Sequence, residues 1–159
     1  MSLKDLRGKV AIVGVGLAGC GEAKGMSDLE ILSQAAKAAV EDAGLAIKDM
    51  DGLCTANLHA STWPQHVAEH LGMRPKFVDG TNIGGSAFVA HQLPAMMALH
   101  LGLCDAVLIC YGSTQRTATF GRKERTAARN VLDPNRFEGP YKPFNPPSSY
   151  AMIAARHMY

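Results

Sequence analysis

Apolar positions along the chain fall into short unbroken runs and longer stretches at helical spacing. Residues 9–16, KVAIVGVG, are apolar, β-branched and bounded by glycine, which predicts a first strand. Leu29, Leu32, Ala36, Ala39, Val40 and Ala43 then recur on one helical face, with Ile31 and Ala35 widening the stripe. Ser27 and Glu30 supply a capping box at its start, and Gly44 closes it. The many alanines predict close packing on a sheet or another helix. Residues 49–58 predict a turn and a second strand, GLCTANL. Residues 63–71 predict a short helix with Pro64 in its first turn, where a missing N–H costs nothing, and Gly72 as its stop. Phe77 and Val78 make a third strand.

The stretch 81–113 organises the rest: a glycine turn, a buried helix, a short turn and a fully buried strand. Gly84 and Gly85 allow unusual dihedrals and close backbone approach where the helix begins. The helix is expected over 86–101, stopping at Gly102, although Pro94 inside it removes one N–H and should distort it at a cost of roughly 3 kcal/mol. Met96 and Met97 read as core filler. Residues 106–110 form a short apolar run, as expected of a strand covered on both faces. A helix started by glycines offers backbone N–H groups and partial positive charge to an oxyanion or thioester oxygen. Strand and helix alternate throughout, which predicts an α/β fold with a mostly parallel sheet and helices on both faces. Three regions are expected: an α/β core over 1–113, a basic loop over 114–147, and the start of a further helix over 148–159 carrying Ala151, Ile153, Ala154 and Met158.

Composition narrows the function classes. With 159 residues, 47% hydrophobic and 19% charged, the chain can bury a core, and a net charge of +2 is too small to imply nucleic acid. The charge is uneven: seven basic residues between 114 and 143, Arg122 and Arg125 among them, face three acidic ones. A stretch this long without periodicity is often functional or interfacial. No apolar run approaches a membrane span, no signal-peptide core opens the chain, and a reduced cytoplasmic setting is expected.

The candidate motifs sort by spacing. Gly14, Gly16 and Gly19 form a GxGxxG, but a dinucleotide turn needs the helix to start inside the glycines, whereas the helix signal begins only at Ser27. His66 and His70 share a face without a third ligand, so a solvated face is expected and no metal. Cys20, Cys54, Cys104 and Cys110 have no zinc-ligand spacing, and Cys54 and Cys110 read as small buried hydrophobes in strands. Ser86 reads as an N-cap, with no visible base to make it a nucleophile.

This layout resembles the thiolase superfamily, whose members carry an Asn-x-x-Cys turn, the cysteine opening a helix that ends in Gly-x-x-Asp before a buried strand. Here Asn82 takes the Asn position, Ala95 and Leu99 the small and apolar helix positions, and Gly102 and Asp105 the ending. AVEDAGLAIKDMDGL also looks like the superfamily's helix, Ala-Gly and acidic turn into a strand. Gly85 stands where the nucleophilic cysteine belongs, and Ala87 and Phe88 replace the usual Ser-Gly. Sterol-carrier-protein thiolases and the lipid-transfer-protein aldolases of steroid side-chain breakdown are the groups most resembled. The latter lack that cysteine and work with a small OB-fold partner.

The resemblance implies an enzyme of lipid metabolism, acyltransferase or lyase, taking a CoA thioester as substrate with no covalently bound cofactor. Thiolysis needs a thiolate to accept the acyl group, and glycine cannot be acylated. Retro-aldol cleavage of a β-hydroxyacyl-CoA needs no acyl-enzyme, so the catalytic positions expected are Gly85, Asn82, Gly84 and Ser86, with amides of 84–86 on the enolate oxygen. Arg122 and Arg125 would meet CoA phosphates. The alternatives are an acetyltransferase using another cysteine, or a non-catalytic lipid carrier or scaffold subunit. A homodimer or higher oligomer is implied. The resemblance covers only a member's first half; the Gly-His-Pro turn and second cysteine of the other half are absent, so a truncated chain, inactive alone, is expected.

Overall fold

Ser27 opens the first helix as its spacing predicts. In the computed structural model, which describes residues 6–57, 60, 62–119 and 145–159, the Ser27 Oγ accepts the Glu30 amide at 3.2 Å and the Glu30 carboxylate accepts the Ser27 amide at 2.7 Å. Helix α1 (Asp28–Asp42) follows and buries Ile31, Leu32, Ala36 and Val40. After Gly44 a 3₁₀ turn leads into β1 (Gly52–Thr55), and α2 (Trp63–Leu71) runs from Pro64 in its first turn to Gly72, whose φ is +67°. Strand β2 (Phe77–Asp79) precedes the glycine turn. Helices α3 (Ala87–Ala90) and α4 (Gln92–His100) take the place of the single predicted helix. Strand β3 (Val107–Cys110) and α5 (Gln115–Thr119) follow, and α6 (Asn145–Met158) starts three residues before its predicted onset, with Pro146 and Pro147 in its first turn. The chain divides into two units, residues 1–118 and 119–159, and the sheet belongs to the first.

The three strands are parallel in the order β2–β1–β3, with Leu53 opposite both Val78 and Leu108. As the central strand, β1 is buried at every residue. Leu32, Val40, Leu53, Trp63, Val67 and Leu108 form one cluster, which places α1 and α2 together on the face carrying Leu53. Helices α3 and α4 also meet the sheet, and their buried Ala87, Ala95 and Ala98 lie outside that cluster.

Four expectations change. Residues 10–18 form neither strand nor helix, and Ile12, Val13, Val15 and Leu17 are 65–79% exposed. A strand needs a neighbour for its hydrogen bonds, and among the described residues this segment meets α1 instead: the Val15 amide donates to Asp42 Oδ2 at 3.0 Å. Gly14 and Gly16 lie on the helix so closely that a Cβ would stand 2.1 Å from the Ala39 carbonyl oxygen and 2.2 Å from that of Ala35. These glycines of the GxGxxG serve helix contact. Second, β3 is fully covered on one side and partly on the other: Leu108 and Cys110 are buried, Val107 and Ile109 half-buried. Third, the central helix buries one face, leaving Val89, Leu93, Met97 and Leu101 exposed and Met96 half-buried, so Met97 is not core filler. Fourth, that helix breaks at His91, because Pro94 has no hydrogen to donate to the Ala90 carbonyl one turn earlier.

Asp51 locks the approach to the sheet. Its Oδ1 accepts the amides of Asp105 and Ala106 at 2.8 and 2.9 Å, and Oδ2 pairs with Lys76 Nζ at 2.9 Å. Burial pushes the Asp51 carboxyl up, but the Ala106 amide, Lys76 and the Asp105 amide outweigh it, and the group sits below its usual value. The Lys76 side chain is 64% exposed, so the two amide bonds matter more than the ion pair. Asp51→Ala should cost about 2 kcal/mol at pH 7. A depressed folded pKa means that this stabilisation is present above about pH 4 and is lost as pH falls through the folded value. Urea titrations from pH 7 to pH 3 should show wild type and variant converging at the acid end; parallel curves would remove Asp51 from the account.

Candidate active site at the glycine turn

The turn between β2 and α3 is held by side chains that reach it from separate elements. Asp79 Oδ1 accepts the Thr81 amide at 2.8 Å. Burial raises the Asp79 carboxyl, while the Thr81 amide and hydroxyl and the nearby His91 bring it below its usual value. Asn82 Oδ1 accepts the Gly84 amide at 3.1 Å, an Asx-type turn, and its Nδ2 donates to the Asn57 carbonyl at 3.1 Å. Asn57 Nδ2 in turn donates to Asp28 Oδ2 at 3.4 Å, and Asp28 Oδ1 accepts the Thr114 amide at 2.6 Å. The first turn of α1 thus ties together the segments leaving β1 and β3 and, through Asn57, the glycine turn. Gly84 has φ +79°, which a side chain would strain, and its carbonyl accepts the Ala87 amide at 3.0 Å.

Gly85 differs from Gly84. It is exposed, and among the described residues a Cβ built on it meets no heavy atom within 4 Å beyond its chain neighbours. The backbone therefore has room for a side chain, and no thiol lies beside it. Cys54 and Cys104 are at most 2% exposed and Cys110 7%. Burial pushes the Cys54 thiol up to about 12, helped by the Asp79 carboxylate and by Cys104. Burial takes Cys110 to about 12 as well, against the Thr55 hydroxyl and with help from Cys54. Cys20 is exposed.

The sequence-predicted positions fare unevenly. Asn82, Gly84, Gly85 and Ser86 share the turn. The Gly84 amide is engaged by Asn82, so it holds the turn and is not open to an oxyanion. Ser86 stands at the N-cap position without capping, because its backbone is helical (φ −80°, ψ −7°) and not extended, and its side chain makes no cap bond. Arg122 and Arg125 lie outside the described residues. His66 and His70 are exposed, and among the described residues no group of three or more His, Cys, Asp or Glu is placed to hold a metal ion. No helix among them is long and apolar enough to cross a membrane.

Sequence reasoning missed His91. The residue is 1% exposed, its Nε2 lies 2.8 Å from the Thr81 carbonyl oxygen, and its Nδ1 is buried without a partner among the described residues. A buried unpaired polar atom costs about 1–3 kcal/mol, which an apolar residue of similar size would not incur. The available signal was a histidine following an apolar run in the predicted helix, three residues before a proline.

No protein-family model matches the sequence. Among curated proteins the chain is 32% identical over 160 residues to the 17-hydroxy-3-oxo-4-pregnene-20-carboxyl-CoA lyase of Mycobacterium tuberculosis, covering 97% of this chain and 41% of the relative. It is 36% identical over 107 residues to the steroid side-chain-cleaving aldolase of Thermomonospora curvata, covering 67% of this chain and 27% of that protein. An acetyl-CoA acetyltransferase of Methanothermobacter thermautotrophicus is 28% identical over 170 residues, covering 94% and 39%. Among solved structures, the Ltp2-ChsH2(DUF35) aldolase aligns with a TM-score of 0.71 at 28% identity, covering 93% of this chain and 37% of that one. The chain thus spans at most 41% of the length of these relatives. It belongs to the thiolase superfamily, with steroid-cleaving aldolases among its relatives.

Proposed function

We propose that this chain forms the thiolase-fold part of an acyl-CoA carbon–carbon lyase that cleaves by a retro-aldol route without a cysteine nucleophile. The observation that carries this reading is the open space at Gly85, the residue that the resemblance sets at the position of the superfamily's nucleophile: among the described residues a Cβ built there meets no heavy atom within 4 Å beyond its chain neighbours. The lyase and aldolase relatives support it. In that reaction the β-hydroxyl of a β-hydroxyacyl-CoA loses its proton and the Cα–Cβ bond breaks. The electron pair passes into the thioester carbonyl as an enolate, a ketone or aldehyde leaves, and Cα is reprotonated. No acyl group is transferred to the protein, so a backbone glycine suffices where a thiolase needs sulfur. The amides of Gly85 and Ser86 are assigned to the enolate oxygen, and Asn82 and Gly84 to holding their turn.

The CoA thioester enters as substrate and no covalently bound cofactor is required. Arg122 and Arg125 are the contacts proposed for its phosphates, on the fit of planar guanidinium to phosphate. An OB-fold partner and a homodimer or higher oligomer belong to the same reading; the two components named in the solved aldolase support the first. Free thiols at all four cysteines support a reduced, cytoplasmic setting. The test is to offer a β-hydroxyacyl-CoA and a β-ketoacyl-CoA to the full-length protein with its partner. Ketone or aldehyde release from the first is expected; thiolysis of the second with no such release would end the proposal.

A further inference from the structure

We propose that His91 is a positioning residue that clamps the glycine turn by holding the backbone of Thr81, a role that deepens the active-site reading above and rests on it. Thr81 belongs to no helix or strand, yet both of its backbone polar groups are taken by side chains. Asp79 Oδ1 accepts its N–H at 2.8 Å, and His91 Nε2 lies 2.8 Å from its carbonyl oxygen. A carbonyl oxygen only accepts, so Nε2 carries the hydrogen. Nδ1 is buried with no partner among the described residues. A leucine would fill the same space without that orphan, so packing alone does not explain an imidazole here.

The ring is held from its other sides. Phe88 stands edge-on to it at 5.9 Å and 88°, and Phe88 packs on Tyr111, the residue after β3, at 4.5 Å. Its backbone sits at the helix break, but its amide still donates to the Ala87 carbonyl at 2.8 Å and its carbonyl accepts the Ala95 amide at 3.1 Å. His91 therefore transmits a rigid position from the end of β3 and the start of α4 to the residue immediately before Asn82. Loss of the Nε2–H bond frees one end of the turn that presents Gly85 and Ser86, while the Asn82–Asn57 bond keeps the other end.

The test uses the full-length protein and three variants, His91→Leu, His91→Asn and His91→Gln. The glutamine amide reaches as far as Nε2, whereas that of asparagine reaches only as far as Nδ1. Amide hydrogen exchange at Gly84 and Ala87, whose amides are bonded within the turn, should rise about tenfold in the leucine and asparagine variants, with α1 and β1 unchanged, and glutamine should restore protection. In the lyase assay kcat should fall roughly 10- to 100-fold with KM little changed, again with rescue by glutamine. Nitrogen NMR of the wild-type ring should report the Nε2–H tautomer. Unchanged exchange at the turn, faster exchange spread over α1 and β1, failure of glutamine to rescue, or the opposite tautomer would each overturn the clamp. A wild-type protein that shows the exchange pattern but cleaves no carbon–carbon bond would retain the clamp and sink the lyase assignment alone.

Discussion

In the folded protein, iodoacetamide should modify Cys54 and Cys110 about a thousandfold more slowly than an ordinary exposed thiol. Only the thiolate reacts, and burial moves both groups from 9.0 to about 12, which at neutral pH removes roughly three powers of ten from the thiolate fraction. Cys54 at 0% exposure is also shielded sterically, so the ionisation figure is a lower bound on the slowing. Exposed Cys20 should label first, and peptide mapping over time reads the order directly. Gly85→Cys supplies the counterpart. Its side chain enters open space, so stability should stay within about 0.5 kcal/mol of wild type, and the new thiol should label on the timescale of Cys20. Rapid labelling of Cys54 or Cys110 in the native protein would revive an acyl-transfer mechanism through another cysteine. The acetyltransferase relative makes that comparison worth running.

Gly112→Ala should be among the most destabilising single substitutions. A Cβ there would stand 2.1 Å from the Asp28 carbonyl oxygen and 2.8 Å from the Leu32 nitrogen, both backbone atoms of the first two turns of α1. Flexible side chains can give way to an added methyl, but two hydrogen-bonded backbones cannot, so the helix must move away from the end of β3. Overpacking of this kind costs about 3 kcal/mol or more, which lowers Tm by roughly 10 °C. The shift also pulls Asp28 from the Thr114 amide, so the ties leading to Asn57 and the glycine turn should loosen with the fold. Gly85→Ala is the matched control, the same methyl added where nothing lies within 4 Å. Thermal melts of the two variants should differ by most of that 10 °C; similar small losses would mean that the α1 contact yields.

These expectations separate what a linear reading finds from what it does not. The capping box at Ser27, the stops at Gly72 and Gly102 and the distortion expected from Pro94, though not the full break, each depend on atoms within about one helical turn. Asn82 and Gly84 belong with them, since an Asx turn spans three residues. Residues 9–16 have a strand's composition, but a strand exists only beside another, and neighbouring residues do not say whether one is there. Ser86 has the right type for a cap and the wrong ψ to act as one, because the turn ahead of it sets its backbone.

Type and spacing alone thus determined the alternation of helices and strands, the parallel sheet and the turn at 81–86, all of them carried by local chemistry. Only the tertiary structure decided that residues 10–18 meet α1 and pair with no strand among the described residues, that Cys54 and Cys110 are sealed from solvent, that Gly112 abuts a helix eighty residues earlier in the chain, and that His91 reaches back to Thr81. The physical reason is common to all four. Burial, thiol ionisation and backbone contact are set by which distant segments become neighbours, and that is a property of the packed sheet and its helices, not of any window of sequence.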